Sequence, residues 1–310
     1  MAFNLNRFDL TTLRLFVAAV DSGSLTAGAE RLDLSLAAAS KRVAELESHV
    51  GTPLLARSKR GVVPTAAGST LLPHAVEMVA RLEQMALAMS DVRAGRAGRL
   101  RLCANTSAFG GFLPALLAAY AKAHPGVVLD LEDATSDEAV RAVLRGAAEL
   151  AVIGENTAAE GLHTLVCDVD ELVLMLPPGH ALAAAARGGG VALTDLLDHD
   201  LVAFGRTTSL TRQLASAAEA VHRPLRLRAQ VRSFDAMGRM VAAGLGLAVL
   251  PRKGALPYAH ALGLQITEVK GMTTQRRLLL AMRGRDGLSA AAQALVDMVQ
   301  DRRNAESSRG

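Results

Sequence analysis

SGSLTAGAERLDLSLAAASKRVAELESHVG, residues 22–51, is the stretch that decides the fold of the N-terminal region. Its pattern predicts two short helices joined by a tight turn, with Ser35 as the N-cap of the second. The first helix carries one apolar face, formed by Leu25, Ala29 and Leu32. In the second helix apolar residues recur with the period of a buried stripe. These residues are Ala39, Val43, Leu46 and Val50.

The opposite face of the second helix predicts a DNA-binding surface. Its residues are small or hydroxylic around one cation, Lys41, with Arg42 on the flank. Small side chains permit close approach to a groove, a hydroxyl can contact a base edge, and cations contact phosphates. An ordinary solvated helix face is the alternative. The candidate DNA-binding residues of the helix pair are Ser24, Thr26, Ser35, Leu36, Ala37, Ser40, Lys41 and Arg42.

Downstream, residues 52–64 predict two short strands around a basic turn. Arg57, Lys59 and Arg60 are cationic and lie in or next to that turn. A basic hairpin beside a helix-turn-helix is typical of a wing that contacts the DNA backbone and the adjacent minor groove. These three residues complete the candidate DNA-binding set.

A long helix is predicted from a cap at Thr65 to about Val92, with Pro73 expected to bend it. Its apolar residues form two heptad rows, which indicate a short coiled coil with a second copy of the chain. Intramolecular packing of the same stripe is the alternative. The rows are Leu72, Val79 and Ala86, and Ala75, Leu82 and Met89.

After Arg99 strand and helix patterns alternate, which favours a parallel sheet with helices on its faces. Strands are predicted over 100–104, 127–131, 150–153, 172–176, 201–204, 227–231, 247–250 and 277–282. Helices are predicted over 112–123, 136–145, 209–221, 234–243 and 289–302.

The sequence resembles the LysR-type transcriptional regulators. The resemblance lies in residues 13–16, 23–27, 29–32, 35–47, 51–57 and 64–68. Three residues depart from the family pattern: Leu36 and Ala37 stand where a Gln-Pro pair is usual, and Leu55 where Phe is usual. Leu36 removes a polar side chain that could read a base.

The resemblance implies an all-α winged helix-turn-helix DNA-binding domain over 1–64 and a dimerisation helix over 65–94. An α/β effector domain, like a periplasmic binding protein, would follow over 95–310. Its subdomains would span about 99–164 with 268–302, and about 165–267. The implied function is sequence-specific transcription regulation by a homotetramer under control of a small effector. The implied partners are operator DNA, the effector, further copies of the chain and, as a candidate, RNA polymerase.

Ligands of open α/β sheets bind beyond the carboxyl ends of strands, near helix N-termini, which favour polar or anionic groups. Hydroxyl-rich segments follow three predicted strands, and they match the effector cleft of the family. Ordinary helix capping is the alternative for these residues, and a core position is the alternative for Phe234. The candidate effector-binding residues are Asn105, Thr106, Ser107, Thr135, Arg206, Thr207, Thr208 and Phe234.

Composition narrows the classes of function. The 310 residues carry a formal charge of +4, which is consistent with a polyanionic partner. Residues 1–61 carry eight Lys or Arg against six Asp or Glu, a net charge of only +2, so the basic signal is local to the wing. We expect no secretory signal, a cytoplasmic protein, and buried hydrophobic roles for Cys103 and Cys167 rather than a disulfide.

Common catalytic motifs are absent and the histidines lack metal-ligand spacing, so we expect no enzyme, cofactor or metal. Residues 244–246 precede a strand, which favours close backbone packing over dinucleotide binding. An effector-independent DNA-binding protein and a solute-binding protein are the rival interpretations.

Overall fold

The computed structural model describes residues 8–58, 61–93, 97–205 and 208–307. The chain forms two compact units, Met1–Ala94 and Gly95–Gly310. Each unit is described by itself below.

The first unit begins with three short helices, each started by a polar side chain. They are α1 (Leu10–Ser22), α2 (Leu25–Glu30) and α3 (Leu36–Val50), and their N-caps are Asp9, Ser24 and Ser35. A hairpin of β1 (Leu55–Ser58) and β2 (Gly61–Pro64) follows, and then the long helix α4 (Ala66–Arg93). The predicted helix pair, wing and linker helix are therefore confirmed.

The predicted stripe of α3 forms part of the core of this unit. Ala39, Val43 and Leu46 are buried, whereas Val50 is half-buried. The helices approach closely at Gly28, where an added Cβ would lie 2.8 Å from the backbone nitrogen of Ala19. The small residue therefore lets α2 pack directly against the backbone of α1.

Helix α4 divides its apolar residues between two environments. Leu72, Ala75 and Val79 pack in the core of the first unit, so the intramolecular alternative holds for the first half of the helix. The second half exposes a stripe of large apolar residues. It consists of Met78, Leu82, Met85 and Met89. Leu72 and Val79 of one predicted row and Ala75 of the other therefore pack within their own unit, and pairing of the two rows with a second copy stays a prediction.

The second unit contains an eight-stranded sheet and a two-stranded sheet. The path through the large sheet is β4-β3-β5-β12-β6-β11-β7, with β10 also paired to β6, while β8 pairs with β9. The strands are β3 (Gly98–Ala104), β4 (Val127–Asp133), β5 (Leu150–Gly154), β6 (His163–Leu176), β7 (Val191–Ala192), β8 (Leu201–Phe204), β9 (Leu227–Val231), β10 (Ala248–Pro251), β11 (Gln265–Lys270) and β12 (Gln275–Met282). The helices are α5 (Thr106–Phe109), α6 (Leu113–Ala123), α7 (Ser136–Leu144), α8 (Ala183–Arg187), α9 (Leu193–Leu196), α10 (Ser209–Ala220), α11 (Phe234–Ala242), α12 (Arg252–Leu262) and α13 (Ala290–Ser307).

Strand β6 belongs to both halves of the large sheet. Residues 163–171 pair with β12, and residues 172–176 pair with β10 and β11. The sequence predicted a strand only over 172–176, because charged residues interrupt the apolar pattern before it. The sheet is parallel at β4-β3-β5, as predicted, but β12 is antiparallel to both of its neighbours. The fold is a two-subdomain α/β domain, as expected.

Both cysteines are buried and free, as expected: Cys103 lies in β3 and Cys167 in β6. Burial raises the pKa of the Cys103 thiol to about 12, which keeps it protonated at neutral pH. Gly246 confirms the close backbone packing expected there, since an added Cβ would lie 2.6 Å from the carbonyl oxygen of Asp200. Within the described ranges, every helix is too short or too polar to cross a membrane.

Candidate nucleic-acid interface and effector cleft

The outer face of α3 is exposed along its length. Leu36 is 49% exposed, and Ala37, Ser40 and Lys41 are exposed beside it. Lys41 pairs with Glu45 of its own helix, with 3.9 Å between Nζ and Oε1, and its side chain is 79% exposed. Such a weak surface pair leaves the ammonium group able to exchange Glu45 for a phosphate.

Of three other candidate DNA-binding residues, Ser35 has the capping role predicted from the sequence, Ser24 has the same role at α2, and Thr26 is surface-exposed. The hydroxyls of Ser24 and Ser35 accept hydrogen bonds from the backbone of their own helices, at 3.3 and 3.2 Å. Thr26 is exposed on α2. The two serines therefore position the helix starts, whether or not they also contact DNA.

A groove of about 560 Å³ runs beside α3. Its lining includes Lys41, Arg42 and Ser48 of α3 together with Asp9, which pairs with Arg42. Because the groove lies beside the exposed face of α3, it provides room for the phosphate backbone of DNA at the edge of that helix. The α3 side of the groove carries charges of both signs, because Glu45 lies beside Lys41.

The wing is fixed to the turn between α1 and α2. The backbone N–H of Val62 donates to the carbonyl oxygen of Gly23 at 2.7 Å. Gly61 is required at this contact, because its φ is +114° and an added Cβ would lie 2.1 Å from the same oxygen. Arg57 lies in β1, opposite Val62. Lys59 and Arg60, at the predicted tip, lie outside the described residues.

In the second unit, Asn105 joins the loops that follow three parallel strands. Its Oδ1 accepts from the N–H of Ala108 at 3.0 Å, which caps α5. Its Nδ2 donates to the hydroxyl of Ser136 at 3.2 Å, and that hydroxyl also accepts from the N–H of Gly154. One hydrogen-bond network thus joins the carboxyl ends of β3, β4 and β5.

The remaining hydroxyls start the helices at this edge. Thr135 forms a capping box with Glu138, and hydrogen bonds from Thr135 hold the pKa of that carboxyl below its ordinary value. Thr208 accepts from the N–H of Thr211 at 3.3 Å and caps α10. Helices of 9 and 12 residues therefore begin at the same edge from opposite halves of the unit.

Six of the eight candidate effector residues line one cavity of about 40 Å³. They are Asn105, Thr106, Ser107, Thr135, Thr208 and Phe234. Phe234 is both core and wall: it is 5% exposed, and its ring lies 5.2 Å from that of Phe204. Arg206 and Thr207 lie outside the described residues.

A wider cleft of about 420 Å³ shares several of these walls. It adds charged groups of both signs, namely Asp133, Asp137, Glu138, Arg141 and Arg232. Asp137 is paired with Arg212 at 2.8 Å. The arrangement can accept a small polar head in the cavity and a larger body in the cleft.

Two residues at this site escaped the sequence interpretation. Asp133 accepts a hydrogen bond from Thr106 at 2.9 Å, and partial desolvation raises its pKa. Arg276 donates to the hydroxyl of Ser107 at 2.8 Å. Asp133 ends a strand at the carboxyl edge, which was an available signal. Arg276 lies one residue before the strand predicted over 277–282, and no local pattern indicates that a distant loop faces it.

Comparison with known proteins gives the family. The model of the LysR substrate binding domain matches residues 93–304, and that of the bacterial regulatory helix-turn-helix protein, lysR family, matches residues 10–69. The chain is 29% identical over 294 residues to the nitrogen assimilation regulatory protein nac of Klebsiella aerogenes, covering 94% of each. The chain belongs to the LysR family, and it is a DNA-binding transcription regulator with an effector-binding domain.

Solved structures share the fold. Full-length CbnR complexed with its target DNA has a TM-score of 0.60 at 20% identity, covering 95% of this chain and 99% of that one. The CcmR regulatory domain of Synechocystis PCC6803 in complex with 2-PG has a TM-score of 0.59 at 22% identity. That match covers 65% of this chain and 95% of that domain.

Proposed function

We propose that this regulator responds to a small ligand with an acidic group, and that the group occupies the cavity between Ser107, Thr135 and Thr208. The observation that carries the proposal is the convergence of hydroxyls from both halves of the second unit on one cavity. The N-termini of α7 and α10 begin there, and the positive end of a helix stabilises an anion. CcmR, which shares the fold, is described in complex with 2-PG.

The acidic residues of the wider cleft are largely engaged with the protein itself. Asp137 pairs with Arg212, and Glu138 closes the capping box with Thr135. Asp133 is held by Thr106 and binds its proton more tightly than an ordinary aspartate. These contacts reduce the repulsion that an anionic ligand would meet.

For DNA recognition, the proposed surface is the exposed face of α3 with the wing beside it. Of the two described cations of α3 beside this surface, Lys41 is more exposed than Arg42 and so more available to phosphate. The small residues Ala37 and Ser40 allow the helix to enter a groove. CbnR, which shares the fold, is described in complex with its target DNA. If this chain uses the same surface, the exposed side chain of Leu36 would make an apolar contact with the DNA.

The proposed division of the chain is a DNA-binding domain over 1–64, a dimerisation helix over 65–94 and an effector domain over 95–310. Within the last, the proposed subdomains are about 99–164 with 268–302, and about 165–267. The proposed assembly is a homotetramer built from α4-paired dimers, acting in the cytoplasm without catalytic activity. Ligand would favour one placement of the two subdomains, and so one spacing of the DNA-binding pairs.

The test is a thermal-shift screen of small carboxylates and aromatic acids with the full chain. A ligand that raises the melting temperature should lose its effect in Ser107→Ala and Thr135→Ala, while both variants keep DNA binding. Thr194→Ala is the matched control, because Thr194 is an exposed threonine outside the cavity. An effect that survives both cavity substitutions would contradict the proposed site.

A further inference from the structure

A buried ion pair lies where the two halves of the large sheet meet. Arg276 of β12 is 3% exposed and Asp170 of β6 is 2% exposed. The two residues face each other in the strand register, with 3.5 Å between Nε of Arg276 and Oδ2 of Asp170. Charged groups are rarely buried unless they are paired. Even a paired burial loses hydration energy that the attraction between the charges can fail to recover, so stability alone does not explain this pair.

The pair lies at the junction between the two pairing partners of β6. Glu171 is the last residue of β6 to face β12, and Leu172 is the first to pair with β10. The N–H of Leu172 donates to the carbonyl oxygen of Thr274 at 2.9 Å, just before β12 begins. Any change in the angle between the halves must therefore act on the strands next to Arg276 and Asp170.

Arg276 also reaches the effector cavity through Ser107. Its Nη2 donates to Oγ of Ser107 at 2.8 Å, and Ser107 lines the cavity. A hydroxyl that accepts from a guanidinium is left with its own O–H to donate. The cation polarises that O–H, which favours an anionic oxygen as the acceptor.

The polar atoms of the Arg276–Asp170 pair are incompletely hydrogen-bonded. Among the described residues, both carboxylate oxygens of Asp170 and Nε of Arg276 lack a hydrogen-bond partner. The neighbouring Asp168 is taken by two other cations, since Lys253 lies at 2.8 Å and Arg302 at 3.5 Å. Glu155 also acts electrostatically on Arg276, so three cations face three carboxylates, and of the three cations only Arg276 is fully buried. The hydrogen bond to Ser107 is therefore the route by which this buried cation acts on the cavity.

We propose that Arg276 is a specificity-determining positioning residue of the effector site. Acting through the Ser107 hydroxyl, it makes the cavity prefer a carboxylate to the neutral amide of the same shape. Asp170 weakens that preference, because its carboxylate offsets the charge of Arg276. Since the pair lies in β6 and β12, ligand binding in the cavity acts on the strands that join the two halves of the sheet. This inference rests on the proposed effector cavity. It adds that the ligand must carry a negative charge, and it assigns a role to Arg276, which does not line the cavity.

The test measures binding of trifluoroacetate and neutral trifluoroacetamide to the full-length protein by fluorine NMR line width. The main variant is Arg276→Met with Asp170→Leu, because replacing both partners avoids an unpaired buried charge. The matched control is Arg285→Met with Asp297→Leu, an exposed pair of the same residue types. We expect the buried double variant to bind trifluoroacetate about tenfold more weakly and trifluoroacetamide equally well, since a charge-assisted contact is lost. The control should bind both probes as the wild type does.

Asp170→Asn gives an independent arm that keeps the cation and needs no apolar repacking. We expect it to strengthen trifluoroacetate binding severalfold, because the neutralising carboxylate is gone. An unchanged carboxylate preference in either variant would overturn the inference. If Ser107→Ala binds neither probe while the buried double variant keeps the wild-type preference, the proposed effector cavity is supported and the proposed role of Arg276 is wrong. If the wild type binds neither probe, both proposals are wrong.

Discussion

The guanidinium of Arg42 lies 2.6 Å from the carboxylate of Asp9, so the candidate recognition helix α3 is tied to the first turn of α1. Asp9 also accepts from the N–H groups of Thr11 and Thr12 and from the hydroxyl of Thr12. Burial alone would raise the pKa of Asp9, but these hydrogen bonds and Arg42 hold it below its ordinary value. One carboxylate therefore caps one helix and orients a cation on another.

Replacing Asp9 tests that double role. We expect Asp9→Ala to lower the free energy of unfolding of the first unit by about 1 kcal/mol, the usual cost of a lost N-cap. Arg42→Ala should cost less, because the pair is 38% and 48% exposed and solvent screens it. Urea denaturation followed by far-UV circular dichroism measures both, and Asp9→Asn is the matched control that keeps a capping side chain. A larger loss in Arg42→Ala than in Asp9→Ala would contradict the capping role.

Lys41 provides a test of the DNA-binding face. Lys41→Ala should weaken binding to operator and to random duplex by a similar factor and reduce the slope of log K against log salt by about 1. Fluorescence anisotropy across a salt series measures both quantities. Lys122→Ala, which removes an exposed lysine from the second unit, is the control. A loss confined to the operator would instead mean that Lys41 reads a base.

The exposed stripe of α4 should mediate pairing with a second copy. Leu82 and Met85 are 40% and 57% exposed, which is unusual for two large apolar residues four positions or fewer apart on a helix. We expect Leu82→Asp with Met85→Asp to reduce the mass measured by light scattering and to weaken operator binding. Glu83→Lys changes an exposed charge away from the stripe and should alter neither. An unchanged mass in the double variant would contradict this seam.

Sequence patterns predicted the elements of the first unit well because each carries a local signal. Ser35 caps α3, the stripe residues Ala39, Val43 and Leu46 are buried, and two short strands pair as a hairpin. The α4 seam was only half predictable, since heptad spacing cannot tell whether Leu72 and Val79 meet a second copy or the core of their own unit. That choice depends on where α1 lies, which is tertiary information.

In the second unit the loops of the cleft were predictable and their charge network was not. Polar side chains that follow strands mark Asn105 and Thr135, and the structure brings both to one cavity. Arg276 reaches the cavity from a strand 169 residues after Ser107. Nothing in the local sequence of β12 distinguishes it from Arg277, whose alternate position on the strand makes it exposed.

Acid titration tests the burial of Asp170. Burial raises its pKa to about 6 from an ordinary value of 3.8, although Arg276 partly offsets the shift. Because the folded state then binds the proton more tightly than the unfolded state, this group's stabilisation is present below about pH 4 and is lost as pH rises through 6. Relative to Asp170→Asn, the free energy of unfolding of the wild type should therefore fall between about pH 4 and 6.

Tyrosine fluorescence during urea denaturation isolates that change. The chain has no tryptophan, and its two tyrosines, Tyr120 and Tyr258, both belong to the second unit. A difference between wild type and variant that stays constant over this pH range would mean that Asp170 remains ionised throughout.

The central claim is that the cavity beside Ser107 controls how the protein occupies DNA. The direct measurement is a footprint and bend angle on the intergenic DNA beside its own gene, with and without a carboxylate that raises the melting temperature. We expect the carboxylate to change both in the wild type and neither in Ser107→Ala, with protection still present in that variant. An unchanged footprint and bend in the wild type, or an equal change in Ser107→Ala, would contradict the account.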